Sequence, residues 1–155
     1  MRETPNFDDA NLALRLYELR RETEMRKARA MIGRQVAGRP WSEVRKLFDF
    51  SHAENAHLRQ ATSYWEMVAS FVNRGILHPE VYLDTCGEGI FTYWSFRPHL
   101  ETIRANGRPR FLMQTERLIQ GFLPAQQRLE EIQRAMGARA AAKPASGRKS
   151  GKKRG

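Results

Sequence analysis

The chain has one cysteine in 155 residues, Cys86, which rules out an intramolecular disulfide and fits a reducing compartment. Long apolar runs are missing as well. No window approaches the ~18 uninterrupted apolar residues of a membrane-spanning helix. The opening residues, Met1-Arg2-Glu3-Thr4-Pro5 followed by Asp8 and Asp9, contain nothing resembling a signal peptide. The expected compartment is the cytoplasm. Phosphate-loop glycine spacing is absent too, because the one glycine cluster, Cys86-Gly87-Glu88-Gly89, lacks it. No repeat and no convincing strand pattern is present.

Acid is scarce at one end. Seven of the 27 bases, Arg139, Lys143, Arg148, Lys149, Lys152, Lys153 and Arg154, follow residue 138 with no carboxylate among them. The remaining 20 bases share the rest of the chain with all 17 acids, so most of the net charge of +10 belongs to the tail. The tail also lacks large apolar residues and cannot offset the entropy of ordering.

Apolar residues recurring every three or four places make up the rest. From about Asp8 to Val36 the composition favours one long helix, capped by Asn6 or Asp8 and ended by Gly38 and Pro40. Its stripe moves from Leu12, Leu16 and Leu19 to Met25, Ala28, Ile32 and Val36, which predicts a bend or a change of partner along its length. A short helix follows from Ser42, as N-cap, to Phe48. Leu58, Ala61, Trp65, Val68, Ala69 and Val72 mark a third helix, about 53–74, closed by Gly75. His78-Pro79-Glu80 opens a fourth, in which Gly87 and Gly89 predict close packing against another backbone. Pro98 should interrupt that helix, since it has no N–H to donate. Segments from Pro109 and from Pro124 complete the pattern. The expected architecture is an all-α single bundle of about five to six helices. It divides into a flexible N-terminus (1–6), a helical domain (7–137) and a disordered basic tail (138–155).

Few residues point to chemistry. By a count of about 100° per residue, Arg97 shares a face with Leu83, Ile90 and Trp94. It is therefore either an anion-binding arginine beside the Pro98 kink or the buried partner of a carboxylate such as Glu66, and buried charges are normally paired. Glu54 and His57 form half of the E-x-x-H arrangement of a carboxylate-bridged di-iron site, but no second pair exists. Neither metal nor cofactor is expected. Cys86, on an apolar stripe, reads as a small hydrophobe. The bases of the first helix are interspersed with Glu18, Glu22 and Glu24, the pattern of a solvated, salt-bridged face.

Ser63-Tyr64-Trp65-Glu66, Asn73-Arg74-Gly75-Ile76-Leu77, Glu80-Val81-Tyr82 and Tyr93-Trp94, with Pro98 through Arg104, resemble the bacterial domain-of-unknown-function 4760 family over roughly residues 12–105. The resemblance implies a helical domain in which Glu66, Gly75, Trp94 and Arg104 are framework positions. It brings no reaction. It also raises the N-terminal membrane anchor found among relatives, for which this sequence holds no segment.

These features predict a non-enzymatic module for protein–protein interaction or self-association. The alternative is a nucleic-acid accessory protein binding non-specifically through Arg139, Lys143, Arg148, Lys149, Lys152, Lys153 and Arg154. A third reading is an anion or small-molecule binder at Arg97, with Glu66 and Arg104 as its neighbours.

Overall fold

Helices account for nearly all of the regular structure in the computed structural model, which describes residues 3–142 and contains no strand among them. The chain starts with α1 (Phe7–Arg21). Asn6 accepts the N–H groups of Asp8 and Asp9, and the Asp9 carboxylate accepts the Asn6 N–H in return. This reciprocal box satisfies donors that a helix start would otherwise leave open.

The single long helix expected over 8–36 is in fact two. Glu22, at φ −55° and ψ 146°, leaves helical geometry and separates α1 from α2 (Thr23–Gln35). The shifting stripe has this as its cause, since each half buries its own face: Asp9, Ala13 and Leu16 in α1, then Met25, Ala28, Met31 and Ile32 in α2. Tertiary hydrogen bonds hold the break. Arg29 donates to the Arg20 carbonyl and pairs with Glu88, while Arg20 donates to the Thr85 carbonyl. Leu19, expected to face inward, is exposed.

Beyond Gly38, at φ +70°, the short α3 (Trp41–Val44) tightens into a 3-10 turn over Arg45–Phe48. Pro40 rather than Ser42 stands at its N-cap. The centre of the molecule is α4 (Asn55–Asn73), which packs on α2, on α6 (Glu88–Phe96) and on α8 (Met113–Gly121). Leu58, Ala61, Trp65, Val68 and Ala69 bury almost completely along it. Its Tyr64 hydroxyl donates to the Leu16 carbonyl at 2.7 Å. Gly75, at φ +70°, ends α4 as the sequence predicts.

The fourth predicted helix is divided twice. α5 (Pro79–Cys86) stops at Gly87, and α6 then runs to Phe96. Arg97–His99 form a 3-10 turn around Pro98, and α7 (Leu100–Ala105) follows. Gly89 meets aromatic side chains rather than the expected backbone: a Cβ there would lie 2.5 Å from Tyr82 Oη and 3.1 Å from the Trp65 ring. The last helix, α9 (Leu123–Ala142), packs on α6 and α8. It continues past Gly137, so residues 138–142 are helical although the composition assigns them to the tail. Four consecutive residues, Ala138-Arg139-Ala140-Ala141, are strong helix formers and carry the last turns.

Candidate functional site

Glu66, Arg104 and Arg97 do not form one site. The Glu66 carboxylate, projecting from α4, accepts the backbone N–H of Gln114 at 2.9 Å, that of Thr115 at 2.9 Å and the Thr115 hydroxyl at 2.7 Å. It thus supplies from another helix the cap that α8 lacks locally. Arg104 lies on the far side of the same turn. It donates twice to the Phe111 carbonyl and pairs with Glu116 at 2.9 Å. The Tyr93 hydroxyl donates to the other Glu116 oxygen at 3.0 Å, and burial, reinforced by that carboxylate, pushes the phenol up to about 12. The ion pair expected between Arg97 and Glu66 is therefore made by Arg104 and Glu116. Arg97 is exposed and donates to Gln133 at 3.4 Å. Arg97 closes α6, whose buried residues include Gly89, Ile90, Tyr93 and Phe96, whereas Leu83, on the separate α5, and Trp94 are only partly buried, so the stripe that grouped Arg97 with them is not the buried face.

Asp9 escapes sequence reasoning. It is fully buried on the inner face of α1 and accepts the backbone N–H of His78 at 2.8 Å, tying α1 to the start of α5. A buried carboxylate needs such donors, but nothing local distinguishes Asp9 from its neighbour Asp8.

His57 stands between two carboxylates, its Nδ1 2.6 Å from Glu54 and its Nε2 3.3 Å from Glu24 on α2. The Glu54 hydrogen bond, then that of Glu24, raises the imidazole pKa above its usual value. Among the described residues no cluster of three or more His, Cys, Asp or Glu is arranged to hold a metal ion. Cys86 is buried, and desolvation pushes its thiol pKa up, away from nucleophilic reactivity.

Two surfaces among the described residues combine exposed apolar side chains with a cleft. One is the outer face of α1, where Phe7, Leu14 and Tyr17 are 78%, 63% and 45% exposed. With Ala10 they repeat at the alternating three- and four-residue step of a helix-pairing seam. An apolar cleft of about 580 Å³ between this face and α5 is lined by Ala13, Val81 and Thr85.

The other is a groove beside α4. A cleft of about 780 Å³ has a floor of Phe48, Leu58, Phe111 and Leu112 and a rim carrying Phe50, Arg59, Arg108 and Arg110. A second cleft, of about 310 Å³, shares Phe48 and Arg108 with it and extends to Trp41 and Arg45. The Arg108 guanidinium lies 4.7 Å from the Phe48 ring centre, and that of Arg59 lies 5.6 Å from the Phe50 ring. In the groove wall Leu112 is left-handed, at φ +53°. A leucine adopts this strained conformation only where its surroundings enforce it, and its side chain is fully buried. The groove is hard to read from sequence because its residues come from three segments far apart in the chain. The repeated Phe48-x-Phe50 and Arg108-x-Arg110 steps are the only local trace.

Of the basic residues assigned to the tail, Arg139 lies on α9. Lys143, Arg148, Lys149, Lys152, Lys153 and Arg154 lie outside the described residues. None of the described helices is long and apolar enough to cross a membrane.

No curated protein and no solved structure matches the chain. A family model does, over residues 7–122, and the chain belongs to that family, described as a domain of unknown function (DUF4760).

Proposed function

We propose that this member of the family is a non-enzymatic interaction module of the bacterial cytoplasm that pairs with a second copy of itself through α1. The observation that carries the reading is the exposed seam of Phe7, Ala10, Leu14 and Tyr17. Large apolar side chains in helical register on a surface mark an interaction site, and burying them yields roughly 25 cal/mol per Å².

Charge and size favour a second copy over an unrelated partner. The first turn of α1 is acidic, with Asp8 beside the seam, and the last turn is basic, with Arg20 and Arg21. An antiparallel, two-fold pairing sets each acidic end against the other copy's basic end. In that register Phe7 meets Tyr17 of the second copy and Ala10 meets Leu14, small against large. The non-enzymatic part of the reading is supported by Glu66, Arg104 and His57 each being engaged in holding helices together. A cytoplasmic site accords with the buried free thiol of Cys86.

Light scattering after size exclusion tests the reading. The wild-type chain should elute as a dimer and Leu14→Glu as a monomer with unchanged helical circular dichroism. A wild-type chain that stays monomeric at hundreds of micromolar removes the reading's support.

A further inference from the structure

Four arginines and a single carboxylate come together in the groove beside α4. Arg45, Arg59, Arg108 and Arg110, which line the groove, form no ion pair with any described residue. The groove's one acid, Glu66, has both oxygens turned to the N-terminus of α8. Four cations therefore face one carboxylate that is already engaged. Three aromatic side chains line it with them: Trp41 at one end, Phe48 in the middle, and Phe50, 77% exposed, at the other.

We infer that this groove binds single-stranded nucleic acid. A ligand matching it must present several negative charges along its length and flat apolar faces between them. Single strands do both: the backbone follows the cations and the unpaired bases stack on aromatic rings, largely irrespective of sequence. A duplex keeps its base faces covered and offers only phosphates, whereas an acidic peptide offers carboxylates without the stacking faces. The guanidinium of Arg59 against Phe50 adds a planar cation beside the most exposed ring. The expected mode is non-specific, because charge and ring stacking carry the contact and the Asn55, Thr62 and Ser63 side chains of the groove donate to backbone carbonyls of the fold. The inference is independent of α1 pairing, since no groove residue belongs to that helix. It also differs from contact through the basic tail, which provides charge but no stacking surface.

Fluorescence anisotropy with a labelled oligothymidylate of 15 nucleotides tests it on the full chain. Phe50→Ala, at an exposed position, should weaken binding about tenfold, the scale of one base stack removed. The double variant Arg59→Ala/Arg110→Ala should weaken it further and lower the log–log salt slope by about 1.4, at ~0.7 for each phosphate of a single strand that is no longer neutralised. Melting temperatures within a degree or two of wild type would confirm that both variants are folded. A same-length duplex should bind more weakly and be insensitive to Phe50→Ala. Three results would overturn the inference: no binding of the oligonucleotide; binding untouched by both variants, which would assign it to the tail; or tight capture of poly-glutamate with none of the oligonucleotide, which would make the groove a seat for an acidic protein.

Discussion

Gly89 and Tyr82 offer the sharpest test of how the core is packed. A methyl group at Gly89 would come within 2.5 Å of Tyr82 Oη and within 3.1 and 3.3 Å of two Trp65 ring carbons. Tyr82 and Trp65 are essentially inaccessible, so neither ring can swing into solvent to make room. Replacing a helical glycine by alanine normally gains up to ~1 kcal/mol, less in a first turn, where Gly89 sits. Overpacking a well-filled core costs about 1–3 kcal/mol. The net expectation for Gly89→Ala is a loss of about 1–2 kcal/mol, or roughly 2–8 °C in Tm for a domain of this size. Tyr82 adds a second lever, because its buried hydroxyl has no hydrogen-bond partner among the described residues. Tyr82→Phe removes a desolvated group that contributes no bond, so it should be neutral or stabilising by up to about 1 kcal/mol. It also deletes the atom that the new methyl would strike. In the Tyr82→Phe background, Gly89→Ala should therefore cost about 1 kcal/mol less than in the wild type, a positive coupling between neighbours. Urea unfolding followed by tryptophan fluorescence, over all four members of the cycle, measures this. An equal penalty in both backgrounds would refute the packing argument, and a Tyr82→Phe loss above about 1 kcal/mol would show the hydroxyl to be bonded.

Two further predictions concern polar contacts between helices. Glu66→Ala should cost about 2–3 kcal/mol, because it strips the start of α8 of an ionised acceptor for two N–H groups and a hydroxyl; Glu66→Gln keeps one acceptor oxygen and should cost about half as much. Chemical denaturation checks both, and a loss under about 0.5 kcal/mol for alanine would contradict the capping role. His57 makes stability depend on pH. Its pKa in the fold is raised above the usual 6.5, so its contribution is complete below that value and fades as pH climbs through the raised one. Glu54 is lowered by His57, and Glu24 by Lys27 and then His57, from the usual 4.5, so their share is lost as pH falls through the lowered values. The difference in Tm between wild type and His57→Ala should peak between those limits. A difference that is flat from about pH 4 to 9 would remove His57 from the link between α2 and α4.

What the sequence makes legible is whatever acts within a few residues. Asn6 as a cap, Gly75 as a terminator, Pro98 as an interruption and the buried stripe of α4 all depend on local backbone chemistry, and each lies at its expected place. The break at Glu22 is not legible, because glutamate and threonine are compatible with helix and the contacts that hold the kink come from Arg29, Glu88 and Thr85. Arg97 illustrates a different failure: the count that grouped it with Leu83, Ile90 and Trp94 runs through the break at Gly87, and the end of α6 leaves Arg97 exposed. For the candidate site, Glu66 and Arg104 stand out in the sequence, but their partners, the start of α8 and Glu116, lie on the other side of turns that no spacing rule connects. The groove arises only when segments near 45, 59 and 110 converge, a property of the tertiary arrangement alone.

The stretch that recurs across the family ends at residue 122, yet Ala125 and Leu129 of α9 are buried against α6 and α8. The unit of kinship and the unit of folding are therefore not coextensive. A fragment trimmed to the recurring stretch would bare a greasy trough along two helices and should precipitate or borrow a neighbour's helix to fill it. Expression boundaries for this chain are better drawn beyond Ala142 than at the edge of the shared sequence.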